Sequence, residues 1–292
     1  MPEVFQPATT RPGDFDEYWD AVLGELDAVP AAPVLDPNSI RSTALSTCYS
    51  LYLTSIGPYR LYAYYSVPRG DGPFPAILHT PGYASVVTPA AFEERQRYVS
   101  MSLCARGQRL SDKPFAASYP GLAVVGIEEP ATYVYRGIVA DTVRAIDFLL
   151  GRREVNVRQI MLAGGDTALF GAALRPQVRA VIAADPAFYA VHDLGPRTDA
   201  YPQEEWNEYR RFYPGKAEAM SDTLGYFDPL FFAPRIKADV RLSVGPSGAV
   251  FNRATAEPLA RAIAGKVDVD ERTGYGHLDY RRMIAWRDGH LG

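Results

Sequence analysis

Asp166 stands where a short apolar strand gives way to a helix, in the run IMLAGGDTALFGAAL (160–174). Gly164 lies two residues before it and Ala168 two residues after, so the pattern is G-x-D-x-A. A strand, a sharp turn and a helix in this order raise the apex side chain above the sheet edge, and only small neighbours fit such a turn. The spacing therefore predicts strained backbone at the apex. A serine there would be the attacking group of acyl transfer, and a carboxylate offers different chemistry. Asp166 could attack carbon, exchange a proton with an imidazole, or simply bond the free N–H groups that open a helix.

An imidazole for such an exchange must come from four scattered histidines, His79, His192, His277 and His290. None forms the close His/Cys cluster that a zinc site requires. Cys48 and Cys104 give neither a disulfide framework nor metal spacing. No metal or organic cofactor is expected. The net charge of −4 argues against nucleic acid and offers no basic face to a membrane.

With 47% hydrophobic residues in 292, the chain can build a sizeable core, so a soluble globular protein is expected. No stretch of about 18 apolar residues occurs and the first residues lack a basic-then-apolar leader, which together predict a cytoplasmic protein. The nineteen tyrosines could line a sugar-like pocket or a subunit interface, or could be ordinary core.

The elements that must position these residues can be read along the chain. The segment DFDEYWDAVLGEL (14–26) has helical spacing after an Asp cap. TALSTCYSLYLTS and YRLYAYYSVP alternate apolar and polar residues as antiparallel edge strands do. FPAILHTPGY (74–83) and YVSMSLCARGQ are apolar strands running into turns, and DTVRAIDFLLGRREV is an amphipathic helix.

The strand QIMLAGG, the helix TALFGAAL and the strands VRAVIAAD and ADVRLSVG come next, followed by the helix ATAEPLARAIAG, the strand KVDVDERT and a closing helix over LDYRRMIAWRDGH. Strands alternating with helices imply a mainly parallel, doubly wound sheet. An aromatic, proline-containing insert at about 186–232 interrupts the alternation and is expected to form a small cap over the site.

Several ordered blocks resemble one family. RPGDFDEYWDAVLGEL is similar to its N-terminal helix, PGY (81–83) to its HGY loop with proline for histidine, and ARGQRLSD to its RGQ signature. YVYRGIVADTVRAIDFL resembles its YYYRG helix, YPQEEWNEY its cap, and TLGYFDPLFFAPRIKADVRLSVG the approach to its penultimate strand. The family is that of acetyl xylan esterases and cephalosporin C deacetylases, carbohydrate esterase family seven. The resemblance implies one α/β-hydrolase domain over 1–292, with a helix and edge strands over 1–70 as an N-terminal extension. It also implies a homo-oligomer and a small acylated substrate.

At the catalytic positions the sequence departs from that family's Ser–His–Asp triad. The serine position holds Asp166, the histidine is retained as His277 in GYGHLDY, and the acid position falls on or near Gly248. By resemblance, Tyr83 and Thr167 supply the main-chain N–H groups of an oxyanion hole, and such donors survive side-chain replacement.

Three mechanisms are open. Asp166 could act as a nucleophile on carbon, as in dehalogenases and epoxide hydrolases. Asp166 and His277 could form an acid–base dyad that activates water or removes a proton so that acetate leaves. The site could also be catalytically dead and serve ligand binding. The dyad is the leading expectation, because a buried carboxylate without a partner is costly and His277 would supply one.

Asp185, at the end of the next strand, is a candidate acid to orient His277, or part of a structural turn. Asp279 reads as a helix cap and Arg106 and Gln108 as scaffold. Arg136 and Asp141 read as parts of an ion pair or interface, since their helix is not at the strand ends.

Overall fold

The computed structural model describes residues 5–113 and 115–292. Nine strands form one sheet: β1 (Val34–Pro37), β2 (Ser46–Ser55), β3 (Tyr59–Pro68), β4 (Phe74–His79), β5 (Val99–Cys104), β6 (Val155–Gly164), β7 (Ala180–Ala184), β8 (Asp239–Val244) and β9 (Val267–Glu271). Their order is β1-β2-β3-β5-β4-β6-β7-β8-β9. Pairing from β1 through β3 to β5 is antiparallel, and every pair from β5 to β9 is parallel. The expected parallel sheet with an antiparallel N-terminal extension is what forms, and the α/β fold places loops from β4, β6, β7, β8 and β9 at one edge.

The helices are α1 (Phe15–Ala28), α2 (Phe92–Arg95), α3 (Val134–Leu150), α4 (Asp166–Leu174), α5 (Val191–Leu194), α6 (Gln203–Phe212), α7 (Ala217–Gly225), α8 (Pro229–Phe232), α9 (Arg253–Ala262) and α10 (Gly276–Leu291). Burial dictates their placement. α4 is apolar on every side and all its residues after Asp166 are buried, as a helix sandwiched between sheet and further helices must be. α3 begins seven residues before the start of the expected amphipathic segment, and fourteen of its seventeen residues are buried. α5 to α8 lie in the insert between β7 and β8.

Two signature blocks of the sequence meet in the scaffold. Arg106, after β5, donates from Nε to Asp141 Oδ2 at 3.0 Å and from Nη2 to Asp141 Oδ1 at 2.7 Å. Its guanidinium lies so close to α3 that a Cβ on Gly137 would overlap it, which is why the helix carries glycine there. Arg136 pairs instead with Glu25 of α1 at 2.5 Å. Both arginines therefore serve the frame, as their motifs suggest. No helix among the described residues is long and apolar enough to cross a membrane.

Candidate active site

A cavity of about 340 Å³ opens at the carboxyl ends of β4, β6 and β7, lined by Tyr83, Leu122, Tyr135, Asp166, Asp185 and Phe188 among others. Gly164 and Gly165 make the turn from β6 into α4. A Cβ on Gly164 would overlap Thr80 Oγ1, so glycine is required where β4 and β6 run side by side.

The turn differs from the expected strained apex in one respect. Gly165 takes φ −115° and ψ −128°, a conformation glycine adopts readily, and Asp166 enters α4 without positive φ. The glycine absorbs the bend, and the apex residue is left as an ordinary first helical residue. Positive φ falls instead on Ala84, Asp185 and Ala190 around the site.

Asp166 is half-buried at the cavity wall. Its carboxyl accepts from the main-chain N–H of Ala187 at 2.8 Å and of Phe188 at 3.1 Å. These donors belong to the loop after β7, so the carboxyl does not cap its own helix. Burial pushes its pKa up to about 7, the two main-chain bonds pull it down, and the charge of Asp228 adds to the rise. Asp228 is itself buried, accepts from Ala190 and Leu230 main-chain N–H groups, and is pushed up to about 7 by the same burial.

Thr167 and Tyr83 both line the cavity. Thr167 Oγ1 donates to Thr80 Oγ1 at 2.9 Å and to the Pro81 carbonyl at 3.1 Å, tying the start of α4 to the 80–83 loop. Among the described residues the main-chain N–H groups of Tyr83 and Thr167 have no protein acceptor. Gln108 Nε2 holds the Gly82 carbonyl at 3.0 Å and so fixes the same loop.

His277 is not brought to Asp166. It is exposed at the first turn of α10, and no hydrogen bond joins the two residues among those described. The reason lies in the preceding loop. Thr273 donates from both N and Oγ1 to Asp279 at 2.9 Å, and Arg282 reaches the same carboxylate at 2.8 Å. These bonds tie the loop back to its own helix and turn His277 outward.

Asp185 does not orient His277 either. It forms a two-point pair with Arg272, at 2.5 and 2.8 Å, which reaches over Gly245 from the end of β9. Gly248 lies in open surroundings with nothing near its Cβ position.

Three site residues escaped the sequence reading. Tyr135, in α3, lines the cavity with its hydroxyl unbonded among the described residues. Burial and then the charge of Asp166 push its pKa well above the usual phenol value. The expectation that the YYYRG-like helix stands away from the strand ends fails at this residue, because α3 begins at Val134 and its first turn reaches the cavity. Phe188 forms a second wall, its ring 4.6 Å from that of Tyr135 and 4.8 Å from that of Trp206 in α6.

Glu205, buried in α6, accepts from the Gly121 and Ala123 main-chain N–H groups at 2.7 Å and from the Tyr83 hydroxyl. The available signal was YPQEEWNEY, where an acid beside a large aromatic marks a side chain that can be carried inward. The run of charges around it reads as a solvated face. Among the described residues no cluster of His, Cys, Asp and Glu could hold a metal ion.

Comparison with known proteins gives the same picture at the level of the whole chain. A curated relative, acetyl esterase Axe7A of Xylanibacter ruminicola, is 26% identical over 262 residues, covering 84% of this chain and 58% of that protein. The chain thus spans less than two thirds of that relative's length. The solved structure of acetyl xylan esterase 1 from Thermoanaerobacterium sp. JW/SL YS485 superposes with a TM-score of 0.81 at 24% identity over 96% of both chains. Acetyl xylan esterase from Paenibacillus sp. R4 gives 0.83 at 22% over 98% of both. The family model for acetyl xylan esterase matches residues 3–256. The chain belongs to the acetyl xylan esterase family, on an α/β-hydrolase fold.

Proposed function

We propose that this protein is an enzyme of acyl chemistry in which Asp166 works as a general acid–base on a small acylated molecule, acetylated by analogy with its relatives. The single observation that carries the reading is the placement of Asp166. Its half-buried carboxyl lines the cavity, is held by two main-chain donors, and is poised to exchange a proton at about pH 7. A base works best when its pKa lies near the working pH.

In ester cleavage the carboxylate takes a proton from water as the water oxygen bonds to the acyl carbon. The carbonyl electron pair moves onto oxygen, facing the Tyr83 and Thr167 N–H groups. Collapse expels the alkoxide, which recovers the proton from Asp166. In the elimination form, Asp166 takes a proton from carbon, the C–H electrons form a double bond, and acetate leaves with its bonding pair. Attack by Asp166 on carbon is less well supported, because both carboxyl oxygens are already engaged by N–H donors. His277 would join the chemistry only by closure of the loop 272–277 over the cavity.

The test is acetate release from a panel of acetylated alcohols, phenols and amines, with and without a fluorophosphonate. Turnover is expected to resist the reagent and to fall about 10²–10⁴-fold in Asp166→Asn. Turnover that the reagent abolishes, or that Asp166→Asn retains in full, would place the chemistry elsewhere. The exposure of His277 favours a second reading, a ligand-binding protein without turnover. No acetate release from any member of the panel, in a protein that still binds ligands in the cavity, would select it.

A further inference from the structure

The cavity around Asp166 has an electrostatic character that the acylated substrate must match. Asp166 is its one carboxyl without a cationic partner among the described residues, bonded only to main-chain N–H groups. Glu205 stands behind Tyr83, and it too is satisfied only by N–H and O–H donors. Asp228 adds a third buried acid whose charge is felt at Asp166. The nearby cations are already spent: Arg106, at the wall, is held at two points by the buried Asp141, and Arg272 is held at two points by the lining Asp185.

The remaining wall is aromatic and aliphatic, with Tyr83, Tyr135 and Phe188 joined by Leu122 and Ile138. A carboxylate at the floor of an aromatic-walled cavity is an environment that favours a cationic nitrogen over a neutral or anionic group, by Coulomb attraction and by attraction to ring faces.

We propose that the substrate of this site carries a positively charged nitrogen beside its acyl group, and that Asp166 and the rings of Tyr83, Tyr135 and Phe188 receive that nitrogen. The inference rests on the proposed site at Asp166 and adds the substrate's class. It does not require turnover. The aromatic members divide the work: Phe188 and Tyr135 form one packed corner, 4.6 Å apart, while Tyr83 is held from behind by Glu205 in the cap. Glu205 thus sets a further negative charge behind the Tyr83 ring.

The experiment uses acetylcholine and its uncharged carbon isostere, 3,3-dimethylbutyl acetate, with sodium acetate as the anionic member. Binding to the full chain is measured by titration calorimetry at pH 8.5, where Asp166 is ionised. Acetylcholine is expected to bind about tenfold more tightly than the isostere, and acetate not measurably. In Asp166→Asn the preference should disappear.

Should that variant fail to fold, the wild-type protein at pH 5.5 provides the same comparison. Asp166 is protonated there while acetylcholine keeps its charge, so the preference should shrink. Equal affinities for the two esters at pH 8.5, a preference for acetate, or no detectable binding of acetylcholine would each overturn the proposal. Tight binding of acetylcholine with no acetate release would leave the proposal standing and remove the catalytic reading. Turnover of neutral acetates without any preference for charge would do the reverse.

Discussion

At the scale of single residues, Asp166 shows how burial and hydrogen bonding compete. Two main-chain N–H bonds favour the carboxylate and partial burial disfavours it, and burial wins, leaving the group near pH 7. This has a consequence for stability. Between about pH 4 and 7 the folded protein holds a proton at Asp166 that the unfolded chain has released, so this residue's contribution to stability falls as pH rises through that window. Asp228 contributes in the same direction.

Replacing Asp166 by Asn removes the dependence, although an amide can accept only one of the two N–H bonds. The melting temperature of Asp166→Asn relative to wild type is therefore expected to rise by several degrees between pH 5 and pH 8. Thermal unfolding followed by circular dichroism measures it. A difference that stays flat across the window would mean that Asp166 titrates at its ordinary value.

The residue scale is also where the sequence was least legible. The place of Asp166 at the turn from strand to helix could be read directly, but not which N–H groups it would meet. Those donors come from Ala187 and Phe188, twenty-one residues and more away. His277 was read from its motif, while the bonds of Asp279 that turn it outward depend on the exact course of one short loop.

At the scale of elements the sequence was far more legible, because periodicity and burial are set by the same contacts. The alternation in β2 and β3, the apolar runs of β4 to β8 and the terminal helix all follow from pattern alone. The main shift was at α3, whose start at Val134 carries Tyr135 into the cavity. The RGQ-like and YRG-like blocks, separate in sequence, prove to be one contact in which Arg106 crosses α3 at Gly137.

That contact predicts a cost. Gly137→Ala must displace the guanidinium or the helix, and overpacking of this kind costs about 1–3 kcal/mol, readable in urea unfolding. An unchanged midpoint would show that the helix can shift freely. The cap makes a second prediction. Glu205→Ala leaves the N–H groups of Gly121 and Ala123 without an acceptor inside the protein, at about 1–3 kcal/mol each. Limited proteolysis should then cut the 119–125 segment or α6 faster than in wild type. Glu205→Gln, which keeps one acceptor oxygen, should fall between the two. Identical digestion of all three proteins would mean that the cap is held by Trp206 and its packing alone.

At the scale of the molecule, the chain sets a nine-stranded sheet beside an insert of helices between β7 and β8. Tyr83 and Thr167 line the cavity, Thr167 ties the 80–83 loop to α4, and Arg106 is held at two points by Asp141. On the proposed reading, a carboxyl able to exchange its proton near neutrality lines an accessible cavity. The most direct measurement is a carbon-13 NMR titration of the protein labelled at the aspartate side-chain carboxyl, with Asp166→Asn to assign the signal. The account predicts a resonance missing from the variant that titrates with a midpoint near pH 7 and moves when acetylcholine is added. A midpoint near 4, the ordinary value for an aspartate in water, with no response to ligand, would contradict it.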